Sequence, residues 1–252
     1  MLCHGFANAK PTMDYVLPSL LLQRDVSKSN RYTSSMIFLN MVSCDSHNAV
    51  SVLTSVLLNI ANEAAVQNLR TVYIRKDPVL KSYWVHLHGT SQMDSANWDN
   101  IHFIQLPNEP AFVHWFSRVH LGRRFADLII VDGLERLFSQ PDRMRASDVL
   151  RLTGLLEDTR NFIDTSTNPE DHGHGCRLLV TCCLPVQSSD STHSPSIPVH
   201  ALEETFIFSE DSTNRYSILA QKDRWKLNLE YVEGELFWKT FHPPPNAAAR
   251  KT

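Results

Sequence analysis

Apolar and polar positions follow two rhythms along this chain, and the change from one to the other divides it. From Met36 to Val42, Thr71 to Arg75, Ile101 to Ile104, Ala126 to Val131 and Cys176 to Cys183 the apolar residues run with little alternation. Runs of this length suit strands covered on both faces, as in a parallel sheet between two helical layers. Between them, Val50 to Ala65 places Val50, Leu53, Leu57, Ile60 and Ala64 on one helical face, and Val52, Val56 and Leu58 widen the stripe. That width predicts a helix sandwiched inside a layered domain. Pro110 to His120 predicts a second helix with Phe112, Trp115, Phe116 and Val119 inward. Ser147 to Ile163 predicts a third, with Val149, Leu152, Leu155, Leu156, Thr159 and Phe162 at helical spacing.

The rhythm then changes. Glu204 to Phe208, Arg215 to Leu219, Arg224 to Tyr231 and Glu235 to Phe241 read as strands. The last two alternate apolar with polar residues around a Glu233-Gly234 turn, which predicts an antiparallel hairpin on the same fold. Residues 1–33, with a leucine cluster interrupted at Pro18, read as a flexible arm. Residues 34–242 read as one domain, and 243–252 as a disordered tail.

Composition narrows this reading without changing it. At 252 residues, 42% hydrophobic and 20% charged, the chain resembles an ordinary soluble globular protein with one substantial core. A net charge of −3 argues against coating nucleic acid by bulk charge, so any such contact needs a local basic patch. Five unevenly spaced cysteines suit free, mostly buried thiols in a reducing compartment. No stretch reads as a membrane span, and no membrane partner is expected.

The first strand, the loop Ser43 to Ala49 and the following helix have the order of a phosphate-binding unit. The loop lacks its chemistry. Glycines must let backbone N–H groups close around phosphates, and a lysine must meet their charge. There is no glycine between Gly5 and Gly89 and no lysine between Lys28 and Lys76. Asp45 adds a negative charge, and Ser46 suits an N-cap. Weak ATP and Mg²⁺ binding, or none, is expected. Asp132, by contrast, ends an apolar strand where open α/β sheets bind ligands. It occupies the place of the Walker B acid that holds Mg²⁺ in nucleotide-binding ATPases, although many buried strands simply end at an Asp-Gly turn. His86 and His88, or His172, His174 and Cys176, lack the further ligands of a zinc site.

Five strands with intervening helices, a degraded phosphate loop, the acid-ended strand Asp132-Gly133-Leu134-Glu135 and an antiparallel C-terminal extension together resemble a RecA-like P-loop-type fold. It has a mostly parallel central sheet with helices on both faces. Within that superfamily, Asp132 to Glu135 and Leu155-Leu156-Glu157-Asp158-Thr159-Arg160-Asn161-Phe162 resemble the SWIM-domain-associated recombinase paralogues, Shu-complex subunits of animals. Ile101-His102-Phe103, Pro107 and the tryptophan-containing hairpin add to the likeness. The resemblance implies a nuclear subunit in homologous recombination, with single-stranded DNA, a SWIM zinc-finger protein and a RecA-family recombinase as partners. It also implies ATP hydrolysis, which the missing glycines and lysine contradict. Lys222, Arg224, Trp225 and Lys226, with Lys239 on the facing strand, form the best local cluster for DNA. The competing reading of that cluster is a solvated hairpin face around a core tryptophan. Two alternatives stay open: an active ATPase of the same complex, and a RecA-like scaffold in an Elongator-type tRNA-modification assembly.

Overall fold

The structure, a computed structural model, describes residues 35–41, 47–79, 84–88, 90–92, 94–122, 124–140, 145–166, 175–183, 204–220 and 226–242. The continuous apolar runs form strands β1 (Ser35–Met41), β2 (Thr71–Arg75), β3 (Ile101–Gln105), β4 (Leu128–Asp132) and β5 (Arg177–Cys183). The C-terminal segments form β6 (Glu204–Ser212), β7 (Arg215–Ala220), β8 (Lys226–Val232) and β9 (Glu235–His242). They join in one sheet in the order β3-β2-β4-β5-β1-β6-β7-β8-β9. Pairing is parallel from β3 through β1 to β6 and antiparallel from β6 to β9. The fold is therefore α/β, mostly parallel with an antiparallel extension, as the sequence predicts.

The two-residue period of a strand sends neighbours to opposite faces. Ile37, Leu39 and Met41 join a core with helix α1 (His47–Val66), whereas Met36 and Phe38 join a second core. That second core holds residues of α3 (Glu109–Phe116) and α4 (Ala146–Ser166). A short helix α2 (Ser95–Trp98) precedes β3. Strands β2, β4 and β5 are buried at every position, which is why their sequences show no alternation.

Helix α1 is buried almost all round, including the polar Asn59 and Asn62. Asn59 donates to Val85 O and accepts from Leu87 N and Thr90 Oγ1, while Asn62 donates to Ser91 O. These asparagines pin the segment after β2 onto the helix. The segment in turn pairs Leu87 with Leu236 of β9. Residues Asn48–Val66, at mean hydropathy 1.5, are long and apolar enough to cross a bilayer, contrary to expectation, but 78% of that window is buried inside the domain.

Helix α3 stops at Phe116, sooner than predicted, and a 3₁₀ turn over Val119–Leu121 follows. Its start is fixed by Asn108, whose side chain accepts from Ala111 N at 2.9 Å, with Pro110 in the first turn. Along α4, Val149, Leu152, Leu156 and Ile163 are buried, while Phe162 is 38% exposed. At about 100° per residue, Ile163 returns to the bearing of Leu156 and Phe162 points away. The Glu233-Gly234 turn has φ of 50° and 92°, the left-handed pair of a tight hairpin turn. The proposed arm at residues 1–33 and tail at 243–252 lie outside the described residues.

Candidate functional site

Strand β5 lies between β1 and β4, so the carboxyl ends of these three strands converge on the place where such sheets hold ligands. Asp132 sits there and is 3% exposed. Its Oδ2 accepts from Thr54 Oγ1 of α1 at 3.1 Å and from Tyr73 OH of β2 at 3.0 Å. The Arg75 guanidinium stands 3.4 Å from the same oxygen. Register explains the meeting. Arg75 and Asp132 are direct partners in the β2–β4 ladder, and Tyr73 lies two residues back on the same face. Burial first, and then the Asp132 charge, push the Tyr73 hydroxyl well above its usual pKa, so the phenol stays a donor.

A buried carboxylate is tolerated when a countercharge and hydrogen bonds replace its water. Arg75, at 5% exposure, supplies internally the positive charge that a divalent cation would bring. The Asp132 carboxylate is buried and meets β2 and α1, so it does not hold the turn that follows it. The turn is held instead by Thr181 of β5, whose Oγ1 accepts from Gly133 N at 2.8 Å. Gly133 has φ 79°, and a Cβ there would stand 2.8 Å from Arg136 Cδ.

Glu135, in the turn after β4, is also buried and accepts from Cys183 N at 2.9 Å. Desolvation raises its pKa above the ordinary carboxyl value. Arg136 Nε lies 3.6 Å from its other oxygen. The space left among Met41, Val50, Asp132, Glu135, Arg136 and Thr181 is a cavity of ≈ 10 Å³, about the room one water needs. Small-molecule pockets commonly measure roughly 300–1,000 Å³. In the loop from Ser43 to Ser46, Asp45 opposes phosphate by its charge; the placement of these four residues lies outside the described residues. Cys176 and Cys182 are free and buried as expected. Cys183 departs from that expectation and is disulfide-bonded.

Of the other sequence candidates, Lys226 and Lys239 lie on β8 and β9. Lys222, Arg224 and Trp225 are outside the described residues. Lys226 Nζ is 2.8 Å from Asp211 Oδ2, and Lys239 Nζ is 2.6 Å from Glu230 Oε2. Burial alone would raise the Asp211 pKa, but hydrogen bonds from Lys226, Ser217 and Ser209 outweigh it and lower the value. Lys239 and then Arg215 likewise lower Glu230. Both lysines therefore already have acidic partners. His86 and His88 serve through their backbones, as Leu236 N donates to His86 O and His88 N donates to Leu236 O. No group of three metal-ligating side chains occurs among the described residues; His172 and His174 lie outside them.

Sequence reading missed Thr54, Tyr73 and Arg75. One signal was available, since an arginine closing the apolar strand Thr71–Arg75 needs a countercharge if that end is buried.

Strand order, the position of the acid on β4 and the helices on both faces define a RecA-like fold. A KaiC-like protein of the hyperthermophilic archaeon Pyrococcus horikoshii is similar in structure, with a TM-score of 0.52 and 12% sequence identity, covering 83% of this chain and 91% of that one. No protein-family model matches the sequence, and no curated protein matches it.

Proposed function

We propose that this chain is a non-hydrolysing RecA-like subunit of a Shu-type complex in the nucleus. In this reading it supports homologous-recombination repair by binding single-stranded DNA and stabilising recombinase filaments together with a SWIM zinc-finger partner. The observation that carries the non-hydrolysing part is the saturation of Asp132 Oδ2 by Thr54, Tyr73 and Arg75. Mg²⁺ at this oxygen would have to displace the Arg75 guanidinium, and the neighbouring loop offers no lysine or glycine to hold the phosphates. The recombination assignment is supported by the likeness of Asp132 to Glu135 and of Leu155 to Phe162 to the recombinase paralogues. With hydrolysis lost, the fold would act as a binding scaffold, which needs no ATP.

Three measurements test this reading. Purified protein should show no change in melting temperature with MgATP, because a ligand that binds the native state raises it. An oligo-dT strand should bind with an affinity that falls steeply with salt. Co-purification from cells should bring down a SWIM-domain protein; Elongator subunits in its place would move the assignment to a tRNA-modification scaffold. Steady ATP turnover that is lost in Asp132→Ala would refute the non-hydrolysing reading.

A further inference from the structure

The amino ends of the strands, at the opposite edge of the sheet from Asp132, carry a surface with no place in the reading above. Charge pairing draws attention to it. Arg75, Arg136, Arg145, Arg151, Arg160, Arg215, Lys226 and Lys239 each lie within salt-bridge distance of a carboxylate. Arg70, Lys76, Arg118 and Arg124 have no such partner among the described residues; Lys76 follows β2 at the Asp132 end, and the three arginines lie at the other end. Arg118 instead contacts His114 Nε2 at 3.3 Å, and Arg70 donates to Arg124 O at 3.0 Å, which joins two of the three in one place. The Asp127 carboxylate close to Arg70 accepts its backbone N–H at 2.8 Å.

Exposed apolar surface lies close to Arg118 and Arg124 along the chain. Leu121, on the 3₁₀ turn after α3, is 63% exposed, and Phe162 of α4 is 38% exposed. The Phe162 ring meets His120 at 6.2 Å and Phe125 at 5.6 Å between centroids, both edge to face, so Phe162 is held in a fixed position. An exposed leucine and a partly exposed phenylalanine near arginines that have no carboxylate partner among the described residues have the composition of a protein-binding hot spot.

We infer that Arg118, Leu121, Arg124 and Phe162, with Arg70 at the rim, form a docking surface for an acidic, apolar-containing segment of a protein partner. Leu121 and Phe162 would bury against the segment's leucine or aromatic side chains. Its aspartates and glutamates would complete the arginines, which accept carboxylates in planar, two-point geometry. This surface is independent of the DNA and nucleotide readings, because it shares no residue with Asp132 or the hairpin lysines.

The test is selection from a phage library of short random peptides on the immobilised full chain, with counter-selection on the Arg118→Glu/Arg124→Glu variant. Enriched peptides should carry acidic residues around leucine, phenylalanine or tryptophan. A synthetic copy should lose about tenfold or more in affinity on the charge-reversed variant, in keeping with truncated interface charges. Leu121→Ser/Phe162→Ser should lose a similar factor with melting temperature retained, and replacing the peptide's acids by arginine should restore binding to the reversed variant. Peptides without an acidic excess, or no enrichment at all, would overturn the inference. So would an oligo-dT strand that competes with the peptide for this surface, since that result assigns the arginines to nucleic acid.

Discussion

The two ends of the central sheet treat charge in opposite ways. At the carboxyl end, Asp132 meets Arg75, Glu135 meets Arg136 and Cys183 N, and the Gly133 amide meets Thr181. At the amino end, Arg70, Arg118 and Arg124 stand without carboxylates among the described residues, beside exposed Leu121 and Phe162. Folds of this kind ordinarily leave the carboxyl end open to ligands. Here the acids at that end are met by the protein's own side chains, while exposed apolar residues stand beside arginines at the other. A buried, ion-paired cluster contributes to holding the fold together, and an exposed one is free to act on something else.

The contrast is broken most forcefully at Asp132. Asp132→Ala strands Arg75 in the interior and should cost about 3–5 kcal/mol in urea unfolding. Combining Asp132→Leu and Arg75→Met with Thr54→Val and Tyr73→Phe, which remove the two hydroxyls that donate to Asp132, should recover most of that loss, because apolar residues of similar size replace buried polar clusters at little cost. If Asp132→Ala is neutral, the site is wetter than its burial implies. Next in size, Thr181→Val removes the acceptor of the Gly133 amide and should cost about 1–3 kcal/mol, read from the same denaturant curves.

A smaller effect separates by pH. Burial raises the Glu135 pKa above its unfolded value near 4.5, so its favourable contribution is present below that value and is lost as pH rises through the folded pKa. Glu135→Gln keeps an acceptor for Cys183 N and removes the titration. Relative to the natural protein it should melt higher at neutral pH, with the gain shrinking to nothing below about pH 4. A gain that grows toward acid would contradict the assignment. Smallest of all, Arg118→Glu/Arg124→Glu should change stability by no more than about 0.5 kcal/mol, as exposed substitutions away from structural features do. A larger loss would mean that these arginines support the fold and are not an idle surface.

The layers of this fold were legible because each rests on a local pattern. Unbroken apolar runs gave β1, β2, β4 and β5, and the Glu233-Gly234 turn gave the β8–β9 hairpin. Asp132 was visible as an acid at a strand end. Its partners were not, since Thr54, Tyr73 and Arg75 come to it through strand order and register, which belong to the assembled sheet. Phe162 was misplaced for a related reason. Several apolar residues at roughly helical spacing admit more than one inner face, and only the packing of α4 selects Ile163 over Phe162. Thr181 could not be assigned to the turn after β4 without knowing that β5 is the neighbour of β4.

The pairing of Leu87 with Leu236 carries a kinetic consequence. Those residues are about 150 positions apart in the sequence, so joining them closes a long loop, and its entropy must be met by contacts made earlier. The strands around β1 should therefore assemble first and this seam last. In native-state hydrogen exchange, the amides of His88 and Leu236 should open through a local fluctuation well below the free energy of global unfolding, while those of β4 and β5 should open only with the whole domain. The outermost strand would then be the place where the molecule first comes apart.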